Sequence, residues 1–378
     1  MEIIAIVILI ALGIYIEIQL YKKKILPQII YDCHFSIDEV MEGETLEIVE
    51  VVMNPSRLVV PCLKSEIVTS NHLDFAENVS TVNDKTRSLA SLFAIKGHQK
   101  VKRTWKVKCL QRGAFKLEDT MVVATDLFGC YSYSNMLKLN SRLIVLPRPI
   151  DVSGYIDYIN EAQGEQVVKR YILEDPFVIA GVREYAMGDS MNKIHWAVTA
   201  RQGELMVRNN EATSKKSLTL IVNTQLYSEQ LKEPVRDERL EYAIRIAAGE
   251  LDKTILESTP VKLLANGTIN ERDESLVTNQ MWGQAHVHEL FVLLASLGET
   301  YTEHFDKFLM HHESQIESTE VIIVTCYIDE PMLAFARTKQ KAGVRIKIYL
   351  LSYEEDSKKY EDVEIYYLLD YLKKVGER

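Results

Sequence analysis

The sequence predicts a multidomain chain: an N-terminal transmembrane helix, an antiparallel β-sandwich of the immunoglobulin-like kind, and a mostly parallel, doubly wound α/β domain. Three observations predict it. An uncharged apolar run at residues 3–16 stands before three consecutive lysines. Residues 28–147 break into short strands separated by turns, with no amphipathic helix of useful length. From about residue 217, apolar strands alternate with segments of helical period.

The first element is IIAIVILIALGIYI, residues 3–16, which extends through Glu17 to Tyr21. Nineteen helical residues give roughly 28 Å, enough to cross a bilayer core. Glu17 and Gln19 fall in the last turn, and Tyr15 and Tyr21 suit the headgroup region. A cleaved signal peptide carries its positive charge ahead of the apolar run, whereas here Glu2 precedes it and Lys22, Lys23 and Lys24 follow. Residues 1–24 therefore read as a retained anchor with a lysine stop, with residues 3–21 in the lipid bilayer. The positive-inside rule keeps the lysines and the bulk of the chain cytoplasmic, which makes this a single-pass protein of the cell membrane.

Residues 25–150 form the sandwich. The expected strands are IIYDCHFS, TLEIVEVVMN, CLKSEIVTS, SLASLFAI, VKRTWKVKCL, GAFKLEDTMVVAT and RLIVLPRP, with turns such as MEGE and KGHQ between them. Residues 151–211 read as a linker that contains a motif, and 212–378 as the α/β domain. There SLTLIVN is a strand. Leu240, Ala243, Ile244, Ala247, Ala248 and Leu251 line one helix face. VKLLANG, HVHELFVLLASLG, a helix through Phe305, Phe308 and Leu309, EVIIVT, PMLAFARTKQKAG, VRIKIYLL and a last helix near residues 363–375 continue the alternation. Pro331 suits a first helical turn and Gly343 a helix stop.

Composition narrows the function classes. With 44 basic against 54 acidic residues, the net charge of -10 argues against nucleic-acid binding, which needs clustered Lys and Arg. Five scattered cysteines without a CxxC pair fit neither a disulfide framework nor a zinc cluster, and so point to a reducing compartment. No Walker loop, GxGxxG or nucleophile elbow is present. His286, His288, His304, His311 and His312 lie at helical spacing among Leu, Val and Phe, and read as a solvated helix face.

The densest functional pattern is residues 177–211, FVIAGVREYAMGDSMNKIHWAVTARQGELMVRNNE. Arg183, Tyr185, Gly188, Asp189, His195, Trp196 and Arg201, with Arg183-Glu184-Tyr185, Ile194-His195-Trp196 and Leu205 to Arg208, closely resemble the signature of the bacterial family called domain of unknown function 58. Arg112-Gly113, Asp126-Leu127-Phe128-Gly129 and Pro147-Arg148-Pro149 resemble its further landmarks in the same order. Met191-Asn192-Lys193 and Ala197 depart from the usual pattern, which has a proline, arginines and a lysine there.

Two physical readings of the segment compete. Asp189 or Ser190 caps a short helix, and Asp189 and Glu184 answer Arg183 and Arg201 in a buried network, with Trp196 packing a junction between domains. Alternatively His195 is a general base oriented by Asp189 in a membrane-associated hydrolase. With no nucleophile or metal in a recognisable context, the structural reading is preferred and the chain is expected not to be an enzyme.

The resemblance implies that the α/β domain is von Willebrand factor A-like. Metal-binding members of that group hold magnesium through an Asp-x-Ser-x-Ser loop after the first strand. Here Asn223-Thr224-Gln225-Leu226-Tyr227 stands in that place, and Thr325-Cys326-Tyr327 ends a later strand. Asn223, Gln225 and Tyr227 thus mark a degenerate metal-site loop, for which no metal and no cofactor are expected. The resemblance further implies a non-enzymatic, membrane-anchored adapter that works with a MoxR-type AAA+ ATPase in a cell-envelope or stress-related assembly. A metal-dependent adhesion module is disfavoured by the lysine stop and by Asn223.

Overall fold

In the computed structural model, residues 2–75, 80–83, 85–162, 179–186, 191, 194–210, 216–232, 237–269, 274–352 and 362–376 are described. The chain divides into two compact units, Met1–Arg148 with Phe291–Leu297, and Pro149–Leu290 with Gly298–Arg378.

The first unit opens with α1 (Glu2–Leu20), whose apolar side chains are exposed along most of its length. It is long and apolar enough to cross a membrane. Its continuation departs from the sequence reading. Tyr21, expected at the headgroups, is buried with Ile25 and Leu26 in the core of the unit, and its hydroxyl donates to the Val59 carbonyl at 2.7 Å. A phenol that is apolar on its body and satisfied at its tip suits a core as well as an interface.

Twelve strands follow: β1 (Ile30–Phe35), β2 (Glu39–Met41), β3 (Thr45–Asn54), β4 (Val60–Ser70), β5 (Leu73–Phe75), β6 (Thr81–Val82), β7 (Thr86–Ile95), β8 (Gln99–Cys109), β9 (Gly113–Lys116), β10 (Thr120–Thr125), β11 (Ser132–Leu137) and β12 (Arg142–Leu146). They form sheets in the orders β1-β3-β8-β5, β11-β10-β4-β7-β6 and β2-β12-β9. Alternation puts Ile48 and Val52 of β3, Leu63 and Ile67 of β4, and Leu89 and Phe93 of β7 into one shared core.

One acid breaks the pattern. Glu50 is fully buried among apolar residues, and it accepts from Tyr31 Oη (2.8 Å), Ser65 Oγ (2.5 Å), Ser91 Oγ (2.7 Å) and Trp105 Nε1 (3.3 Å). These donors replace the hydration that burial removes. The MEGE and KGHQ turns fall between strands as expected. GAFKLEDTMVVAT does not stay one strand: it divides into β9 and β10, which enter different sheets. The short strands β2, β5 and β6 and the polar β11 had no clear alternation to reveal them.

The second unit contains α2 (Ser153–Ala162), β13 (Ile179–Glu184), α3 (Trp196–Gln202), β14 (Met206–Asn210), β15 (Leu218–Val222), α4 (Glu238–Glu257), β16 (Val261–Ala265), β17 (Gly267–Ile269) and β18 (Leu276–Val277). Next come α5 (Gln284–Ser296) and β19 (Leu297–Tyr301), of which Phe291–Leu297 falls in the first unit, then α6 (Phe305–His312), β20 (Glu320–Thr325), α7 (Glu330–Lys341), β21 (Arg345–Leu350), β22 (Glu364–Tyr367) and α8 (Leu369–Gly376). The main sheet has the order β18-β16-β15-β20-β21-β22, parallel except for edge strand β18.

All five residues of β15 are buried, as a strand covered on both faces requires. On one face Ile221, Ile323 and Ile348 meet Phe308, Leu309, Met332 and Leu333 of α6 and α7. On the other, Tyr349 reaches Glu250 of α4 and Tyr366 reaches Asn160 of α2. Gly343 ends α7 at φ +91°.

The sequence reads 151 onward as linker, yet its first residues are docked. The Ile150 N–H donates to the Arg245 carbonyl at 3.0 Å, Lys253 pairs with Asp151 at 3.0 Å, and Tyr155 stacks on Tyr371. A Cβ at Gly249 would lie 2.1 Å from the Ile150 carbonyl oxygen, so this close approach explains a glycine inside α4. The expected last helix near 363–375 divides into β22 and α8, because Tyr366 and its neighbours pair with β21 before the chain turns helical.

Candidate functional site

The parallel sheet reverses its strand order between β15 and β20: β16 is added on one side of β15, and β20 and β21 on the other. Clefts at the carboxyl ends of strands beside such a switch point are the usual ligand sites of open α/β sheets. Here the Asn223–Tyr227 loop emerges from β15 beside Thr325 at the end of β20.

Amides close this loop on itself. The Asn223 N–H donates to the Val324 carbonyl at 2.9 Å, and its Oδ1 accepts the Gln225 N–H at 3.0 Å. That acceptor role turns Nδ2 toward Thr325, where it donates to Oγ1 at 3.0 Å. Thr224 donates from both N–H (2.9 Å) and Oγ1 (3.2 Å) to Asn266 Oδ1. Gln225 Oε1 accepts the Phe305 N–H at 3.1 Å, so its Nε2 faces the carbonyls of Tyr227 and Ser228, both at 3.0 Å, and His304 Nδ1 at 3.1 Å. One glutamine thus ties the loop to the start of α6.

Around this knot the charges are arranged in pairs. Arg239 grips Asp237 through Nε (3.1 and 3.0 Å) and Nη2 (2.7 Å), donates from Nη2 to Tyr227 Oη at 2.7 Å, and lies over the Tyr227 ring. Burial alone would raise the Asp237 carboxyl, but the guanidinium and the Arg239 backbone N–H hold it below its usual range. Asp329, which caps α7 through the Met332 N–H at 3.0 Å, is raised by burial and by the nearby Asp306 charge. Burial pushes the Cys326 thiol up to about 12, which makes it an inert core residue.

The donor set does not fit the magnesium site that the resemblance brings up. Asn223 presents an NH2 group to Thr325, and neither loop nor strand end supplies a carboxylate at the first position. Among the described residues no group of three or more His, Cys, Asp or Glu is placed to hold a metal.

The signature segment is built differently. β13 and β14 pair antiparallel with α3 between them, and the Tyr185 N–H donates to the Leu205 carbonyl at 2.8 Å. Helix α3 is capped by His195, whose Nδ1 accepts the Val198 N–H at 3.4 Å; Asp189 and Ser190, the expected caps, lie outside the described residues. Thr199 Oγ1 accepts the Met206 N–H at 3.0 Å, and Gly203 ends the helix at φ +78°.

No residue of α3 is buried. Trp196 is 64 % exposed, and Glu184 and Arg201 are exposed too, so the tryptophan is not packed away and these two side chains are not buried as expected. Gly188, Asp189 and the Arg183 side chain lie outside the described residues.

The structure therefore brings Tyr185, His195, Trp196 and Arg201 into one small module, and Asn223, Gln225 and Tyr227 into one loop. Sequence reading missed Asn266, His304, Asp237 and Arg239 as partners of that loop. Asp237 had a legible signal as the cap ahead of a helical run. His286 is buried and its Nε2 lies 3.1 Å from the Val261 carbonyl, a core histidine bonded through one ring nitrogen where a solvated one was expected. Of the upstream landmarks, Arg112 is buried within the first unit and donates Nη1 to the carbonyls of Leu294, Ala295 and Leu297 at 2.8 to 3.0 Å.

A family described as "Protein of unknown function DUF58" matches residues 181–298, which takes in both the signature module and the switch-point loop. Over those residues the chain resembles the DUF58 family. No curated protein matches it. Solved structures resemble parts of this chain. A non-cellulosomal cohesin from the archaeon Archaeoglobus fulgidus is 11 % identical, covering 34 % of this chain and 96 % of its own, with a TM-score of 0.22. A CARDB domain from Pyrococcus furiosus is 13 % identical over 31 % of this chain and 85 % of its own, TM-score 0.20. The sporulation control protein Spo0M from Bacillus subtilis is 13 % identical over 35 % and 55 %, TM-score 0.19. Likenesses at this level carry no argument about what this chain does.

Proposed function

We propose that this protein is a non-enzymatic, membrane-anchored adapter. Helix α1 holds it in the cell membrane with its bulk in the cytoplasm, an immunoglobulin-like sandwich spaces it, and a von Willebrand factor A-like domain meets a protein partner, a MoxR-type AAA+ ATPase. The observation that carries the reading is the contrast at the two candidate sites. The side chains of Asn223, Thr224 and Gln225 in the switch-point loop bond to Thr325, Asn266 and the start of α6, and among the described residues they present no carboxylate set to a hard cation. The signature module instead offers exposed side chains, with Trp196 foremost. Tryptophan at an exposed position is the residue type that most often anchors protein interfaces.

His195 supports the same reading. Its Nδ1 lone pair accepts the Val198 N–H, so the neutral ring carries its proton on Nε2 and has no second lone pair with which to act as a base.

The test is recovery of the MoxR-type ATPase of the same cell with detergent-solubilised full-length protein in the presence of ATP, repeated with Trp196→Ser. ATP-dependent recovery that the variant loses is expected. Failure to recover the ATPase with either protein counts against the adapter role. The variant belongs at Trp196 because Asn223, Thr224 and Gln225 are buried, and replacing them would test stability instead of contact.

A further inference from the structure

The Asp126-Leu127-Phe128-Gly129 turn has no part in either candidate site, yet it is tied to the anchor. The Leu127 N–H donates to Glu17 Oε1 at 2.9 Å, and Glu17 lies in the last turn of α1. Backbone bonds from Asp126 N–H to the Tyr131 carbonyl (3.0 Å) and from Gly129 N–H to the Asp126 carbonyl (3.4 Å) close the turn, with Gly129 at φ +72°. Its two apolar side chains point to solvent: Leu127 is 48 % and Phe128 63 % exposed. Leu58 is exposed too, next to Val59, whose carbonyl receives the Tyr21 hydroxyl.

The length of the helix sets the level of this turn. The uncharged part of the helix, residues 3–16, makes about 21 Å, roughly 9 Å less than a 30 Å hydrocarbon core, so the crossing is completed only by the residues from Glu17 onward. Those residues are thereby drawn to the apolar boundary, or the bilayer thins to meet them. Glu17 is the first flanking residue, and it is held by the Leu127 backbone. Whatever depth Glu17 takes, Leu127 takes too.

We propose that the Leu127-Phe128 turn is a second membrane contact of this chain, entering the interfacial zone of the bilayer beside the anchor. The proposal rests on reading α1 as a membrane anchor. The bilayer is the occupant because the exposed apolar pair adjoins the helix that already enters it. Lys22, Lys23 and Lys24 are exposed just past the same turn of helix, where they meet anionic headgroups. Glu17, costly in lipid on its own, keeps its backbone hydrogen bond as it approaches the boundary. Two contacts fix the orientation of the β-rich unit on the membrane, which a single helix with a free joint would not.

The test places a benzophenone amino acid at position 128 of the full chain, reconstituted in vesicles of phosphatidylethanolamine and phosphatidylglycerol, and reads lipid adducts by mass spectrometry after illumination. Position 9 in the anchor is the positive control, and exposed position 82, at the end of β4 and β7 far from Val60, the negative one. Adducts at 9 and 128 but not at 82 are expected. Adducts at 9 with none at 128, or equal yields at 128 and 82, overturn the second contact and leave the anchor standing. No adduct at 9 overturns the anchor, and the second contact with it.

Discussion

The switch-point loop and the signature module lie in the same unit and within the same family match, and they solve opposite problems. In the loop, Asn223, Thr224 and Gln225 turn every amide inward, onto Thr325, Asn266, His304 and the Phe305 N–H. In the module, no residue of α3 is buried, and Trp196 stands out. A site that looks like a lost metal centre is thus a structural knot, whereas the conspicuous motif lies on a surface. Polar residue types at a ligand-binding position of a fold do not by themselves make a ligand site; what matters is where their hydrogen bonds go.

The largest expected effect is in the knot. Gln225→Ala strands the buried Phe305 N–H, at about 1 to 3 kcal/mol, and removes the part-buried bonds to the Tyr227 and Ser228 carbonyls, at about 0.5 to 1.5 kcal/mol each, so it is expected to lower unfolding free energy by at least ~2 kcal/mol. A urea titration of full-length protein in detergent, followed by tryptophan fluorescence, measures it. A loss below ~1 kcal/mol would mean that the loop is held by something else.

Asn223→Asp sharpens the same point, because it returns the carboxylate that a cation site needs. It places a charge in a fully buried position between the Gln225 N–H and Thr325, so a loss of about 1 to 3 kcal/mol is expected. Magnesium is not expected to restore it, since the remaining ligands are tied to one another. A melting temperature that rises with added magnesium would reopen the metal reading.

A smaller effect comes from pH. Asp151 is lowered to about 2 from 3.8, first by the Ser153 N–H and also by Lys253. A carboxyl held below its unfolded value stabilises the fold fully above about pH 4, and that stabilisation is lost as pH falls toward 2. The Asp151 side chain is 68 % exposed, so solvent screening keeps the contribution below about 1 kcal/mol. Asp151→Asn should flatten the acid limb of a stability curve between pH 4 and 2 and leave neutral stability nearly unchanged. An identical acid limb in wild type and variant contradicts it.

Trp196→Ser should change least. An exposed side chain on a helix with no buried residue is expected to move unfolding free energy by less than ~0.5 kcal/mol. A loss of 2 kcal/mol or more in the same titration would make Trp196 a packing residue after all and erase the contrast between the two regions.

Much of this was legible in the sequence because burial leaves periodic traces. The β15 run LTLIV, the α4 face from Leu240 to Leu251, and Pro331 and Gly343 at the ends of α7 follow from period and cap chemistry. Short or polar strands such as β2 and β11 left no such trace, and neither did the break between β9 and β10. Asn223 could be recognised as a missing carboxylate from its position after β15. The loop's other partners could not, because Asn266 and His304 reach Thr224 and Gln225 from elements distant in sequence. Trp196 misled for a related reason: the residue type favours burial, but its neighbours Ala197, Ala200 and Arg201 offer α3 no apolar stripe with which to pack.

The most direct test of the central claim is binding of the purified MoxR-type ATPase, with ATP, to the full chain in lipid nanodiscs, for wild type and for Trp196→Ser. The account predicts binding by wild type and at least ~10-fold weaker binding by the variant, a change of about 1.4 kcal/mol, with unfolding midpoints unchanged. Equal affinity for both would move the partner surface off the signature module. No binding by wild type would contradict the adapter reading itself.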